Sequence, residues 1–145
     1  MSKVICTRQS EFGELTLTRG AISGYDGLLQ YTWRLPNGNL HSPNQQTPSN
    51  LLVSVTKGNY KMEFHVNGVC YRLNDLPSTI NGTLLPRKVN YFWRRGATLH
   101  RETGPAVTGS SYPEGQFWIM NEILSREEFV MRYEMMFLKE YQDTH

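Results

Sequence analysis

The sequence predicts an α+β fold that is mainly β: an antiparallel meander of stacked β-hairpins with one amphipathic helix at its C-terminal end. Three observations predict it. Polar and apolar residues alternate over several short segments, which is typical of half-buried strands. Asn-Gly pairs separate many of these segments and favour tight hairpin turns. A helix start signal followed by apolar residues at helical spacing stands near the end of the chain.

The length and composition are those of one globular domain. The chain has 145 residues, of which 39% are hydrophobic and 19% charged, and this balance excludes a disordered or membrane-spanning class. We expect a single domain over residues 1–145, with a β-rich hairpin region at 1–124 and a helix at 125–143. The first residues contain no apolar signal core, so we expect a cytoplasmic protein with no membrane association.

The first predicted strands lie before residue 41. Residues 14–19 alternate polar and apolar side chains, and residues 28–35 add Tyr31 and Trp33, whose aromatic rings favour a strand. The glycine-rich residues 20–27 predict a loop between these strands. Asn37-Gly38 predicts a hairpin that returns to Leu40.

Residues 42–50 predict an exposed loop. They read Ser-Pro-Asn-Gln-Gln-Thr-Pro-Ser-Asn, with two prolines and no apolar residue, so we expect them to contribute nothing to the core. This segment is the best candidate for a mobile or partner-binding loop.

The middle of the chain predicts further hairpins. Residues 51–56 and 60–66 flank the turn at Lys57-Gly58-Asn59, and Asn67-Gly68 predicts a second tight hairpin. Asn81-Gly82 predicts a third turn of the same kind. Strands at 88–94 and 117–119 would bring the total to about eight.

The helix is predicted from its start signal. Ser125-Arg126-Glu127-Glu128 is a capping box, in which the side chains of the first and last residues each bond the other's backbone amide. The apolar residues that follow cover more than one helical face, which predicts a second apolar face for a partner or for a homodimer. The candidate residues for this contact are Met131, Met135, Phe137 and Leu138.

The cysteines and histidines predict neither a metal site nor a cofactor. Cys6 and Cys70 lack a CxxC spacing and a nearby cluster of ligands, so we expect two buried free thiols. His41, His65 and His100 show no short ligand spacing.

Four segments of the chain share a pattern: an aromatic residue, a glycine or asparagine turn, and then a basic or imidazole side chain. They span residues 33–43, 64–77, 93–105 and 118–126. Residues 99–106 read Leu-His-Arg-Glu-Thr-Gly-Pro-Ala, which resembles the W…G…HRxxGPA repeats of many small phage and bacterial proteins. The resemblance covers residues 91–130 well and 30–80 weakly. It implies stacked hairpins, loosely similar to MORN repeats, and a phage-like origin; most members have no assigned activity.

The sequence departs from this repeat pattern in two ways. Only one copy of HRxxGPA is present, and Glu122 stands where a turn glycine is usual. The motif itself favours an architectural interpretation, because Gly104 and Pro105 suit a tight turn while His100 and Arg101 can hydrogen-bond between stacked hairpins.

A basic and aromatic segment runs from residue 87 to 101 without an acidic residue. This composition is typical of surfaces that bind phosphates and stack bases, although the net charge of the chain is only +2. A strand with one ring in the core and its cations in solvent would have the same composition. The candidate binding residues are Arg87, Lys88, Tyr91, Trp93, Arg94, Arg95, His100 and Arg101.

Three functions follow from these patterns. The leading expectation is a non-enzymatic protein-binding module, a phage-encoded inhibitor of a host defence protein, since no phosphate-binding loop, dinucleotide motif or nucleophile elbow occurs. The first alternative is a nucleic-acid or nucleotide binder that uses residues 87–101. The second is a small phosphodiesterase or hydrolase that uses His41 and His100 for acid–base catalysis.

Overall fold

A computed structural model describes residues 2–22, 24, 27–84 and 86–132 and confirms the mainly β class. The described residues form fourteen strands and a helix at 126–132. The strands are β1 (Lys3–Ser10), β2 (Gly13–Ala21), β3 (Leu28–Arg34), β4 (Asn50–Ser54), β5 (Asn59–Glu63), β6 (His65–Val66), β7 (Val69–Cys70), β8 (Thr79–Thr83), β9 (Lys88–Phe92), β10 (Arg94–Arg95), β11 (Thr98–Leu99), β12 (Val107–Gly109), β13 (Tyr112–Ile119) and β14 (Glu122–Leu124).

Ten of these strands form one antiparallel sheet. Their order is β1-β2-β3-β4-β5-β8-β9-β12-β13-β14, so the sheet is a meander interrupted by two small hairpins, β6–β7 and β10–β11. Each hairpin projects from the end of a long strand: β5 leads into β6 after Phe64, and β9 leads into β10 after Trp93.

The two faces of the sheet differ in chemistry. The pairing register places Gln30, Asn50 and Glu63 on one face, where the Gln30 amide donates to Asn50 at 2.9 Å and the Asn50 amide donates to Glu63 at 2.8 Å. The other face carries apolar residues, including Tyr31, Leu51, Met62 and Ile80. This alternation is the strand periodicity that the sequence shows.

The most buried side chains cluster at the end of the sheet where strands pass into hairpins. Leu35, Phe64, Ala106, Val107 and Leu124 are each at most 6% exposed. They come from four separate parts of the chain, so the core runs across the strands at this end. The hairpins and the loops that return from them are therefore fixed against the core.

Three hairpin units repeat the same backbone geometry. In each unit, the backbone amide of an aromatic residue donates to a backbone carbonyl in the loop just before the next strand of the sheet. The backbone carbonyl of the same aromatic residue accepts a bond from the amide of the residue that ends the hairpin. The aromatic residues are Trp33, Phe64 and Trp93; their acceptors are Ser49, Ser78 and Ala106, each at 2.8 Å; their donors are His41, Tyr71 and His100, at 3.0 to 3.1 Å.

A fourth unit ends the sheet, one residue earlier than the sequence pattern predicts. Phe117, rather than Trp118, pairs with the residue that ends the hairpin, Leu124. Asn121, with a φ of 68°, takes the second turn position, and Glu122 lies in β14. The ring of Phe129 from the helix packs on Phe117, with centroids 4.6 Å apart.

The predicted turn at Asn81-Gly82 is wrong. Both residues lie inside β8, where Asn81 faces Lys61 on one side and Asn90 on the other. Gly82 suits this strand because a Cβ there would collide with the carbonyl of Lys88. Its φ is not positive, so the dipeptide serves close strand packing rather than a turn.

The prediction that residues 42–50 contribute nothing to the core is also wrong. Ser49 is fully buried, and its hydroxyl donates to the carbonyl of Glu63 at 3.0 Å; Asn50 is 8% exposed and begins β4. Gln45 is held by the Arg72 side chain, which donates to its carbonyl at 2.8 Å. The segment is therefore partly exposed and partly buried, and its buried polar groups are hydrogen-bonded.

The first strand departs from the predictions as well. β1 lies ahead of the first predicted strand, at residues 3–10, and pairs with β2. Its residues are exposed from Lys3 to Gln9, and Cys6 is accordingly an exposed free thiol rather than a buried one. Cys70 is a half-buried free thiol, and burial raises its pKa.

The helix begins as predicted. The Ser125 amide donates to the Glu128 carboxylate and the Glu128 amide donates to the Ser125 hydroxyl, both at 3.1 Å. Met131 is 62% exposed. Met135, Phe137 and Leu138, the other residues predicted for a contact, lie outside the described residues, as does the predicted helix beyond residue 132. Within the described part of the chain, no helix is long and apolar enough to cross a membrane.

Candidate functional site

Two clefts lie next to each other between successive hairpin units. We call the first the histidine cleft: it has a volume of about 240 Å³ and is lined by His41, Phe64, His65 and Leu73. We call the second the arginine cleft: it has a volume of about 210 Å³ and is lined by Trp93, Arg94, Arg95 and His100. Tyr71 and Arg72 line both clefts and form the wall between them.

The two clefts are equivalent features of successive units. Phe64 and Trp93 hold the same position in their hairpins, and so do Tyr71 and His100. Each cleft is also lined by a residue of the preceding unit: His41 lines the histidine cleft, and Tyr71 lines the arginine cleft. The repeat of the backbone therefore produces a repeat of the cleft with different side chains.

Arg101 lines the arginine cleft and fixes the chain segments around it; we call this set of contacts the Arg101 clamp. Its guanidinium lies over the ring of Trp93, 3.9 Å from the centroid, and donates to both oxygens of Asp75 at 3.0 Å. A third bond, of 3.1 Å, goes to the carbonyl of Pro105. The Arg101 hydrogen bonds lower the pKa of Asp75, which the bond from Thr103 lowers further and partial burial opposes.

Arg72 repeats this clamp one unit earlier. Its guanidinium lies over the ring of Phe64, 3.9 Å from the centroid, and donates to the carbonyl of Pro77 at 3.2 Å. Its third contact is the carbonyl of Gln45, where Arg101 instead contacts the carboxylate of Asp75. Both clamps thus join an aromatic residue, the proline of the return loop and the loop of the preceding unit.

His41 and His100 tie each unit to the next hairpin turn. The Nδ1 atom of His41 accepts a bond from the amide of Asn67, and that of His100 accepts one from the amide of Met120, both at 2.9 Å. These bonds place the ring proton on Nε2, and in His100 the Nε2–H donates to Glu102 at 3.2 Å. Their first role is to hold adjacent hairpins together.

Burial favours neutral imidazoles in the histidine cleft. It lowers the pKa of His41 and of His65, more than the nearby carboxylates of Glu11 and Glu63 raise them. The Nδ1 atom of His65 lies 2.6 Å from the hydroxyl of Ser49. This cleft is consequently uncharged at its imidazoles near neutral pH.

Arg94 and Arg95 differ from the clamping arginines. Among the described residues neither guanidinium has an ion-pair partner or donates a hydrogen bond. Arg94 lies 5.7 Å from the ring centroid of Phe92, and Arg95 lies 5.2 Å from that of Tyr71. Arg95 is exposed and Arg94 is half-buried.

The arginine cleft therefore has an excess of positive charge. Four arginines and two carboxylates line it. Both carboxylates are already engaged, Asp75 by Arg101 and Glu102 by His100. The two cations left over, Arg94 and Arg95, are free to bind an anionic group that enters the cleft.

The structure brings together only part of the predicted binding set. Trp93, Arg94, Arg95, His100 and Arg101 line the arginine cleft. The other three residues, Arg87, Lys88 and Tyr91, do not line it: the first two precede or begin β9, at the end of the strand remote from the hairpin, and Tyr91 is half-buried in the sheet.

Six residues that line the arginine cleft were not predicted from the sequence: Tyr71, Arg72, Asp75, Leu76, Glu102 and Thr103. A signal for the first two was present, because Tyr71-Arg72 precedes Pro77 much as His100-Arg101 precedes Pro105. No local signal marks Asp75, which lies 26 residues before its partner Arg101.

The two histidines considered for acid–base catalysis, His41 and His100, do not come together. His41 and His100 line different clefts, and the Nδ1 atom of each is occupied by a backbone amide. No group of three or more His, Cys, Asp or Glu side chains that could hold a metal ion occurs in the described ranges. Comparison of the chain with protein-family models, curated proteins and solved structures found no match.

Proposed function

We propose that the protein is a non-enzymatic protein-binding module that contacts its partner through the arginine cleft. The observation that carries the proposal is the pair of cations Arg94 and Arg95, which line a cleft otherwise fixed by the Arg101 clamp and have no partner among the described residues. A rigid cleft with two free guanidinium groups is preorganised for an anionic side chain.

The contacts of Trp93 favour a protein partner over nucleic acid. Binding of single-stranded nucleic acid relies on open aromatic rings on which bases stack. One face of the Trp93 ring is covered by Arg101, and its Nε1–H already donates to the carbonyl of Asp75 at 2.9 Å. Arg87 and Lys88, which would extend a phosphate-binding track, lie away from the cleft.

The resemblance to phage repeat proteins supplies the specific form of the proposal. In this form the module is encoded by a phage and inhibits a host defence protein by occupying its surface. A small module of stacked hairpins needs no catalytic group for such a role, because inhibition follows from binding alone.

The experiment compares the wild-type chain with two variants of equal charge loss. The double variant Arg94→Gln/Arg95→Gln removes the free cations of the cleft, and Arg87→Gln/Lys88→Gln is the matched control from the same part of the sequence. Each tagged protein is used to capture partners from bacterial lysate with and without nuclease treatment, and the captured protein is then purified and titrated against each variant.

The expected result is one stoichiometric partner that binds the wild type and the control alike and binds the cleft variant about tenfold more weakly or worse, as befits loss of a desolvated charge contact. Circular dichroism checks that all three proteins are folded. A partner bound equally by both variants would refute the role of the cleft. Capture of nucleic acid alone, lost on nuclease treatment, would refute the protein-binding function.

A further inference from the structure

We infer that the histidine and arginine clefts are consecutive subsites of one groove, and that its ligand is an extended segment of the partner protein with a carboxylate in the arginine cleft and an apolar side chain in the histidine cleft. This inference rests on the proposed function and specifies the chemistry of the partner. It follows from the shared wall, the spacing and the contrast between the two clefts.

The shared wall makes one continuous surface of the two clefts. Tyr71 and Arg72 line both, and Arg72 is held in place by its bonds to Gln45 and Pro77. Because Arg72 is held in this way, a ligand that fills both clefts has to cross the wall at Tyr71.

The spacing of the clefts follows from the order of the strands. The histidine cleft lies at the unit that continues β5 and the arginine cleft at the unit that continues β9, with only β8 between them in the sheet. Two steps between neighbouring strands amount to about 9.6 Å. A peptide in the polyproline II conformation places residues i and i+3 on the same side, about 9.3 Å apart. Such a peptide can therefore fill both clefts with side chains three residues apart.

The chemistry of the two clefts selects a mixed ligand rather than a polyanion. The arginine cleft carries Arg94 and Arg95 without partners. The lining of the histidine cleft includes the apolar side chains of Phe64, Val66 and Leu73; its arginine, Arg72, is engaged, and its carboxylate, Glu11, disfavours a second anion there. A nucleic acid strand carries a negative charge at every nucleotide and would find free cations in one cleft only, whereas a peptide can alternate an acidic and an apolar side chain.

Two blocked peptides test the inference in both chain directions: acetyl-Gly-Leu-Pro-Pro-Glu-Gly-amide and acetyl-Gly-Glu-Pro-Pro-Leu-Gly-amide. Their control peptides replace Glu by Gln, or remove one proline so that the two side chains are no longer three residues apart. Each is titrated to millimolar concentration into the ¹⁵N-labelled full chain, and backbone and arginine Nε shifts are followed by NMR.

We expect saturable shifts for residues 71–73 and 94–102 with at least one of the two peptides. Binding should weaken about tenfold with the Gln control peptide and with the Arg94→Gln/Arg95→Gln protein. The Leu73→Ser protein should bind the leucine-containing peptides more weakly; because Leu73 is 45% exposed, this variant should fold normally. The Arg87→Gln/Lys88→Gln protein should bind like the wild type.

Three outcomes would overturn the inference: no saturable shift at these residues with either peptide, equal binding of the shortened peptides, or preferential binding of inorganic phosphate or hexathymidylate at the arginine cleft. In the first two cases a captured partner that still depends on Arg94 and Arg95 would leave the proposed function intact. In the third case, preferential binding of hexathymidylate would refute both this inference and the proposed function. Preferential binding of inorganic phosphate alone would show that the arginine cleft is a simple anion site.

Discussion

At the scale of single residues, the residues of the HRxxGPA motif form one set of contacts, the Arg101 clamp. Arg101 bonds Asp75 and the carbonyl of Pro105 while it covers Trp93. Gly104 leaves room beside it, because a Cβ at that position would lie 3.0 Å from the Arg101 guanidinium and would press it out of its present place. The glycine therefore provides room for the arginine, and the motif residues depend on one another.

The clamp predicts a specific loss of stability. We expect Arg101→Gln to lower the free energy of unfolding by about 1–3 kcal/mol, since it removes charge-assisted hydrogen bonds and a cation–π contact together. A double-mutant cycle with Asp75→Asn should give a coupling of about 1 kcal/mol, at the lower end because Asp75 is 46% exposed. Urea unfolding measures both quantities.

Arg95→Gln is the matched control for this cycle, because Arg95 has no ion-pair partner among the described residues. Its free energy of unfolding should stay within about 0.5 kcal/mol of the wild type. If Arg101→Gln is equally harmless, the guanidinium does not stabilise the return loop.

The buried histidines predict a loss of stability in mild acid. Burial lowers the pKa of His41 and His65 in the folded state below the ordinary value near 6.5. Below about pH 6.5 the unfolded chain thus binds protons that the folded chain does not, so the free energy of unfolding falls as the pH falls. Above about pH 7.5 both states are neutral at these residues and the contribution vanishes.

Urea unfolding between pH 7.5 and 5.5 tests this dependence. In the variant His41→Asn/His65→Asn the side-chain oxygen at position 41 can still accept the bond from the Asn67 amide, and the side-chain amide at position 65 can still donate to the Ser49 hydroxyl, but neither group titrates. We expect its stability to change less over this range than that of the wild type. Parallel pH profiles for the two proteins would show that other groups cause the acid sensitivity.

At the scale of secondary-structure elements, the local sequence predicts a strand or turn where local and tertiary preferences agree. Asn67-Gly68 forms the predicted turn, with φ angles of 45° and 88°. The same dipeptide at Asn81-Gly82 lies inside a strand, because its neighbours in the sheet rather than its own preferences determine its conformation. A dipeptide signal cannot distinguish these cases.

The first strand could not be predicted for a related reason. Strand periodicity arises where one face of a strand is buried, but β1 is exposed from Lys3 to Gln9 and has a partner on one side only. The candidate site was predicted only in part: the cations of β10 were identified from composition. The ion pair between Asp75 and Arg101 depends on chain segments that meet only in the folded protein.

At the scale of the whole molecule, the sheet is a linear array whose two edges differ from its centre. Contacts run from each strand to its neighbours, so a central strand is held from two sides and an edge strand from one. In such arrays local opening starts at the ends. The edge at β1 is also the more exposed one, with Val4 60% and Ile5 47% accessible.

Hydrogen exchange should therefore be graded across the sheet. We expect the amides of β5 and β8 that bond neighbouring strands to exchange most slowly, and those of β1 that bond β2 to exchange about 100-fold faster or more, because opening β1 breaks the contacts of one strand pair only. Exchange followed by NMR on dilute protein measures the gradient, and repeating it at high concentration provides the control. Uniform protection at low concentration would show that the array opens only as a whole. Protection of β1 that increases with concentration would instead show that a second copy of the chain covers this edge.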